Sequence, residues 1–200
     1  MPGVEVQPGV WWWEAVHPEW TDADGDWGPE VSSYALDDGA RLLLIDPTLP
    51  PAEVTDVAAG RDVVIVLTNW WHQRDASVLA ERFGAQVFAP PPDDGRDIAL
   101  ETQRFQAGDR LPFGAVVFEG REPPLDIVLW IESKRAVAIG DTLIDRGDGI
   151  EIVDSWLADG VTRKQVIEGL RPLLELPIDI VLPTHGAPTD RAALERALAA

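Results

Sequence analysis

The segment VVIVLTNWWHQRD, residues 63–75, opens apolar and ends polar. Val63, Val64, Ile65, Val66 and Leu67 follow one another without a break, and all but the last are β-branched. A run this short and this branched predicts a strand covered on both faces. Thr68 and Asn69 end it. From Asp75 onward Val78, Leu79, Arg82 and Phe83 recur at helical spacing up to Gly84, so a helix follows. The unit is strand, loop, helix, and its loop carries Asn69, Trp70, Trp71, His72, Gln73 and Arg74. Loops at the C-terminal ends of buried strands are where such sheets place their chemistry.

Outward from this unit the chain alternates short strands and helices. Upstream, Val31–Leu36 and Arg41–Ile45 read as a hairpin over Asp37-Asp38-Gly39, and Asp46-Pro47 ends its second strand. Pro51–Ala59 suits a helix with proline in its first turn and Gly60 after its end. Val4–Val6 and Gly9–Glu14 are extended, turned off by His17-Pro18, with His17 read as a surface turn residue. Trp20 and Trp27 lie in a polar stretch with Asp22, Asp24 and Asp26. Five of the nine tryptophans precede residue 30. They either fill a sheet face and cover loops or form an aromatic lip over a pocket.

Downstream, Gln86–Ala89 is a strand stopped by Pro90-Pro91-Pro92, and residues 93–108 read as loop. Arg110-Leu111 and Ala115–Phe118 are strands, and Asp126–Ile131 with Ala136–Ile139 is a second hairpin. Thr162 and Gln165 match a capping box that opens a helix to about Glu175. Ile178–Leu182 is a last strand and Asp190–Ala199 a last amphipathic helix. Two series of strands, each trailed by helices, predict one domain over residues 1–200, a four-layer αββα sandwich with one end built from loops of both halves.

Bulk composition narrows the partners. Of 200 residues, 16 are Lys or Arg and 35 Asp or Glu, a net charge of −19. Such a field repels nucleic acid and anionic membranes. Cysteine is absent, which excludes disulfides, thiol nucleophiles and thiolate-held metals. The N-terminus lacks the pattern of a signal peptide, and no apolar run reaches membrane-spanning length. The expectation is a cytoplasmic protein, bacterial in style because Arg far outnumbers Lys.

Several stretches in order resemble the metallo-β-lactamase fold superfamily. Ser33-Tyr34 with Leu36, followed by Leu42-Leu43-Leu44-Ile45-Asp46, is similar to its early hairpin ending in Asp. Ile65-Val66-Leu67-Thr68 resembles the strand before its metal motif. Ala138-Ile139-Gly140-Asp141-Thr142-Leu143 resembles the loop with its metal-bridging Asp, and Leu182-Pro183-Thr184-His185-Gly186 the loop with its last His ligand. The resemblance implies a four-layer fold and a metal-dependent hydrolase site, but most of the ligands it implies are replaced. Where the superfamily has H-x-H-x-D-H, this chain has Asn69, Trp71, Gln73 and Arg74. Where another His follows a Gly at a strand end, it has Arg121 after Gly120. Asp141 and His185 alone match, and zinc needs at least three converging donors.

Sliding the motif by one residue brings in His72 and Asp75. With Asp141 and His185 they make a set for one zinc or other divalent ion, although Arg74 and Arg121 bring repelling charge. Without metal the retained carboxylates need other cations. Arg74 and Arg121 are expected to pair with Asp141 or Asp75, and Trp71 to fill the volume left. The main reading is therefore a non-hydrolytic pseudoenzyme without metal. It would bind a small anionic ligand through Arg74, Arg121, Trp70, Trp71 and Asn69, with Asp141 and His185 as an acid–base pair. The alternative is a hydrolase with an atypical mononuclear site. A third is a structural protein whose Trp-rich N-terminus packs on a partner.

Overall fold

The computed structural model describes residues 2–22, 27–92 and 100–199. Asp24 and Asp26 lie outside the described residues, as does the 93–99 part of the stretch read as loop. Strands β1 (Val4–Gln7), β2 (Val10–Val16), β3 (Glu30–Asp37) and β4 (Arg41–Ile45) form an antiparallel run. Helix α1 (Ala52–Ala58) then leads to β5 (Asp62–Val66), and α2 (Ala76–Phe83) leads to β6 (Gln86–Ala89) and the short β7 (Gln103–Arg104). These three strands continue the sheet in parallel, in the order β1 to β7.

The second half supplies β8 (Ala115–Glu119), β9 (Ile127–Ile131) and β10 (Ala136–Ala138), then a ribbon of β11 (Ile144–Asp145) and β12 (Ile150–Glu151). Helix α3 (Arg163–Leu170), β13 (Ile180–Leu182) and α4 (Arg191–Ala199) complete it. The second sheet runs β13-β10-β9-β8, with β13 parallel to β10.

Period-2 alternation sorts each strand between two cores. Val64 and Val66 of β5 face inward with Leu43 and Ile45, and meet Ile127, Leu129 and Ile131 of the other sheet. Val63 and Ile65 face outward beneath Val54 of α1 and Leu79 of α2. On the far side Val128, Trp130 and Val181 pack under Val166 and Leu170 of α3 and Leu194 of α4. The layers are helix, sheet, sheet, helix, which is the architecture the sequence predicts.

Local chemistry matches the sequence at several joints. The α3 capping box is formed by Thr162 and Gln165. Helix α3 stops at Leu170, earlier than the periodicity predicts, and Arg171–Glu175 continues as a 3-10 turn. Pro172 lacks the N–H that an α-helix would use there. Gly140 sits at φ +51, and a Cβ there would meet Asp126 Oδ1 at 2.9 Å and Thr68 Oγ1 at 3.1 Å. This position therefore needs glycine for both conformation and space.

Because β4 and β5 are parallel to each other and β13 to β10, their C-terminal ends gather at one end of the sandwich. Asp46, Thr68–Arg74, Asp141 and His185 leave the sheets there. Among the described residues no helix is long and apolar enough to cross a membrane.

Candidate functional site

The site is built on carboxylates beneath the loops. Asp46, at the end of β4 with φ +45, is buried. It accepts from Thr68 N at 2.7 Å and Thr68 Oγ1 at 2.5 Å. Asp126, just before β9, is fully buried and ties four loop positions together. It accepts from Asn69 Nδ2, Arg121 N and Asp141 N at 3.3 Å each, and from the Thr142 hydroxyl. Burial pushes the Asp126 carboxyl up, the charge of Asp141 adds to this, and Arg121 and Thr142 only partly offset it.

His72 lies between two carboxylates. Its Nδ1 is 3.1 Å from Asp46 Oδ2 and 3.2 Å from Thr68 Oγ1, and its Nε2 is 3.2 Å from Asp141 Oδ2. Burial disfavours the imidazolium. The charges of Asp141 and Asp46 and their hydrogen bonds outweigh it and push the pKa up to about 9. Both ring nitrogens therefore donate at neutral pH. Burial also opposes ionisation of Asp46 and Asp141. The His72 cation, with Arg74 and Thr68 at Asp46 and with His185 and Arg121 at Asp141, holds both carboxyls below their usual range.

The two arginines complete the charge balance differently. Arg121 Nη2 reaches Asp141 Oδ2 at 3.4 Å, its Nη1 donates to Trp156 O, and its guanidinium lies over the Trp156 ring at 5.4 Å. Arg74, at φ +40, spends Nη1 on the backbone carbonyls of Ser32 (2.8 Å) and Asp46 (2.6 Å). Arg121 is thus the guanidinium that pairs with Asp141, whereas Arg74 clamps the start of β3 to the end of β4. Three buried or half-buried cations, His72, Arg74 and Arg121, stand among Asp46, Asp126 and Asp141.

His185 lies 3.6 Å from Asp141 Oδ1, which by distance alone is an ion pair. Burial lowers its pKa. The pull of Asp141 in the other direction is overcome by Arg74, His72 and Arg146, and the value falls to about 4. The contact is therefore between a neutral imidazole and a carboxylate whose charge His72 and Arg121 already meet. The His185 ring packs edge-on against Trp27 (5.6 Å) and Trp156 (6.0 Å).

Above this network is a cavity of about 470 Å³. Its floor is His72, Arg74, Arg121, Asp141 and His185, and Trp27, Trp71 and Trp156 stand around it, with His17 and Glu19 toward the outside. Trp12, Trp13 and Trp70 pack in the sheet layers, so the tryptophans serve both as core and as pocket wall.

Not every residue singled out in the sequence reaches this cavity. Trp70 is a core residue, 1 % exposed beside Trp13 and Leu79 and capped by Arg104 at 4.3 Å, so it is not positioned as a ligand contact. Asn69 is fully buried and bridges Asp126 to Trp71 N, a structural role. Asp75 turns the other way to accept from Leu49 N at 2.8 Å and does not join His72. His17 is a cavity wall, packed on Trp27 at 5.4 Å, where the sequence suggests a surface turn. Asp46, Asp126 and Trp156 were not legible as site residues, whereas Trp27 belongs to the tryptophans read as a possible aromatic lip. The signals for Asp46 were its place at the end of a predicted strand and the resemblance of that hairpin to one ending in Asp.

The donor set does not fit the two-ion centre that the fold implies. Tetrahedral metal ligation needs several lone pairs directed at one point, at about 2.0–2.3 Å. Here both His72 nitrogens face carboxylates, Asp141 faces an imidazolium and a guanidinium, and Asp75 is elsewhere. Among the described residues no group of three His, Asp or Glu is arranged to hold a metal ion.

No protein-family model matches the sequence, and no curated protein matches it. Solved structures do. The metallo-β-lactamase DIM-1 superposes with a TM-score of 0.70 at 15% identity, covering 98% of this chain and 94% of that one. The metallo-β-lactamase FIM-1 from Pseudomonas aeruginosa, in its mono-zinc form, gives 0.68 at 16% over 100% and 94%. TTHA1623 in a di-iron-bound form gives 0.62 at 23% over 86% and 96%. The chain has the metallo-β-lactamase fold along nearly its whole length.

Proposed function

We propose that this chain is a non-hydrolytic binding protein on a metallo-β-lactamase fold, and that its cavity takes a small ligand bearing an anionic group. The observation that carries the reading is the His72 ring, seated between Asp46 and Asp141 through both nitrogens. An organic cation meets the carboxylates whose charge would otherwise require a metal. Arg121 meets Asp141 from another side.

Neither member of the expected acid–base pair, Asp141 and His185, is poised as a general base at neutral pH. General bases work best when their pKa lies near the operating pH. His185 is depressed to about 4 and the Asp141 carboxyl is also lowered, in each case against or through burial and neighbouring charge. What remains is a concave, aromatic-walled site with guanidinium groups on its floor, of the size range that small ligands occupy.

The test is a pair of measurements on the full chain. Inorganic phosphate and benzoate are titrated against tryptophan fluorescence and melting temperature, with Arg121→Gln as comparison. Binding by wild type that weakens at least about tenfold in the variant supports the reading. Hydrolysis of ester or lactam substrates that scales with added zinc and disappears in His72→Ala refutes it.

A further inference from the structure

A second cavity, of about 550 Å³, adjoins the first. Glu14 of β2, Glu30 of β3, and Asp145 and Arg146 of the β11–β12 ribbon stand around it. Trp27 and His185 line both cavities. Their rings meet edge-on at 5.6 Å, so this contact stands on the boundary between the two.

The two rings are held differently. His185 belongs to the loop after β13, and its carbonyl accepts from Asp145 N at 3.0 Å. A Cβ added at Gly186 would come within 2.5 Å of Asp145 Cβ, so this loop is pressed against the β11–β12 ribbon. The His185 ring is backed by Trp156 at 6.0 Å and lies 3.6 Å from Asp141 Oδ1. Trp27 comes from the connection between β2 and β3. Its ring packs edge-on against His17 at 5.4 Å and against His185, and its carbonyl accepts from Trp20 Nε1 at 3.3 Å. Cutting back the Trp27 side chain therefore removes the boundary while the charged floor beneath the first cavity keeps its own hydrogen bonds.

The cavities also differ in charge. His72, Arg74 and Arg121 face Asp141 in the first, whereas Glu14, Glu30 and Asp145 face Arg146 in the second. An anionic group is favoured in the first and repelled from the second. The rest of a long ligand reaches the second cavity only past Trp27. Resting on the binding function proposed above, we propose that Trp27 determines ligand length. It confines an anionic ligand to the first cavity and excludes ligands whose apolar tail would extend into the second.

Calorimetric titration of the full chain with 4-phenylbutanoate and 8-phenyloctanoate tests this. The probes share a carboxylate and a phenyl ring and differ in length, and the readout is the ratio of their affinities. Wild type is expected to bind the longer probe no more tightly than the shorter. Trp27→Ala should favour the longer probe by at least about tenfold, since each methylene newly buried in the joined cavity is worth about fourfold. Trp27→Leu should shift the ratio in the same direction by a smaller factor, and it serves alone should the alanine variant fail to fold. Trp71 lines the first cavity and not the second, so Trp71→Ala should change both affinities while keeping the wild-type ratio. A wild type that already favours the longer probe tenfold overturns the proposal, as does a ratio that neither Trp27 variant moves; in both cases the anion-binding function stands. Binding of neither probe by wild type or variants also overturns it, and the phosphate and benzoate titrations then decide the broader function separately.

Discussion

Replacing His72 by leucine removes an imidazolium from between two buried carboxylates while keeping an apolar side chain in the space. Two routes estimate the cost. Removing one partner of a buried ion pair costs about 3–5 kcal/mol, because the other charge is left uncompensated. Independently, a His72 pKa moved from 6.5 to about 9 corresponds, at about 1.4 kcal/mol per unit, to roughly 3 kcal/mol of stability. At about 2–4 °C per kcal/mol for a chain of this size, the melting temperature should fall by about 6–12 °C. The pKa is raised in the folded state, so the stabilisation is fully present below pH 6.5 and is lost as pH rises toward about 9. Urea unfolding followed by tryptophan fluorescence from pH 6 to 9.5 should show wild type losing stability across that window and His72→Leu losing much less. Adding Asp141→Asn to His72→Leu should recover at least about 1 kcal/mol, because it removes a charge left without its partner. A His72→Leu protein within about 0.5 kcal/mol of wild type at pH 7, the range of an ordinary surface change, would refute the argument.

Four further outcomes can be checked on the same material. His185 has a lowered pKa, so its unfolded form takes a proton that its folded form refuses. Wild type should lose on the order of 3 kcal/mol as pH falls from 6.5 toward 4, and urea midpoints of His185→Gln should lack that component. Asn69→Ala leaves Asp126 Oδ1 short of a donor and Trp71 N–H without its acceptor; denaturant unfolding should show a loss of about 1–3 kcal/mol. Trp70→Ala opens a cavity beneath α2 and should cost about 3–5 kcal/mol, while benzoate affinity measured well below the melting temperature stays unchanged. Dialysis against a chelator should leave the melting temperature where it was, and a drop that zinc restores would show a structural metal.

The fold was legible because its signals are local and repeated. The branched run at Val63–Leu67, the Asp-Gly turn before Arg41, the capping box at Thr162 and Gln165 and the Gly140-Asp141 turn each state a piece of backbone geometry. Together they specify the order of strands and helices. The site was legible where a residue sits directly after a strand in a recognisable position, as Arg121, Asp141 and His185 do, and in the loop after Leu67, where Trp71, His72 and Arg74 all reach the cavity. Trp70 and Trp71 are neighbours in sequence, yet one belongs to the helix-facing core and the other to the cavity wall. In a compact turn, adjacent side chains leave in different directions, and no periodicity assigns them. Asp75 carries the right chemistry, but its oxygen is claimed by Leu49 N, a contact 26 residues away in sequence. Trp156 approaches the cavity from the second half of the chain and has no local signature.

The position of His72 explains why the arginines need not be exact stand-ins for ligands. In the sequence His72 falls between two positions of the expected motif and enters only when the motif is slid by one residue, as a candidate metal ligand. In the structure it is the residue of that loop whose ring reaches both Asp46 and Asp141. A cation placed one residue off the ligand register serves the carboxylates as well as one in register would, because charge compensation depends on distance and burial while coordination also demands direction. Arg121 can then approach Asp141 from the second sheet and Arg74 can spend Nη1 on backbone carbonyls. The converging loops of this fold here bring together side chains whose charges are balanced against one another. That arrangement leaves Arg74 Nε and Nη2 and Asp141 Oδ1 buried without a hydrogen-bond partner.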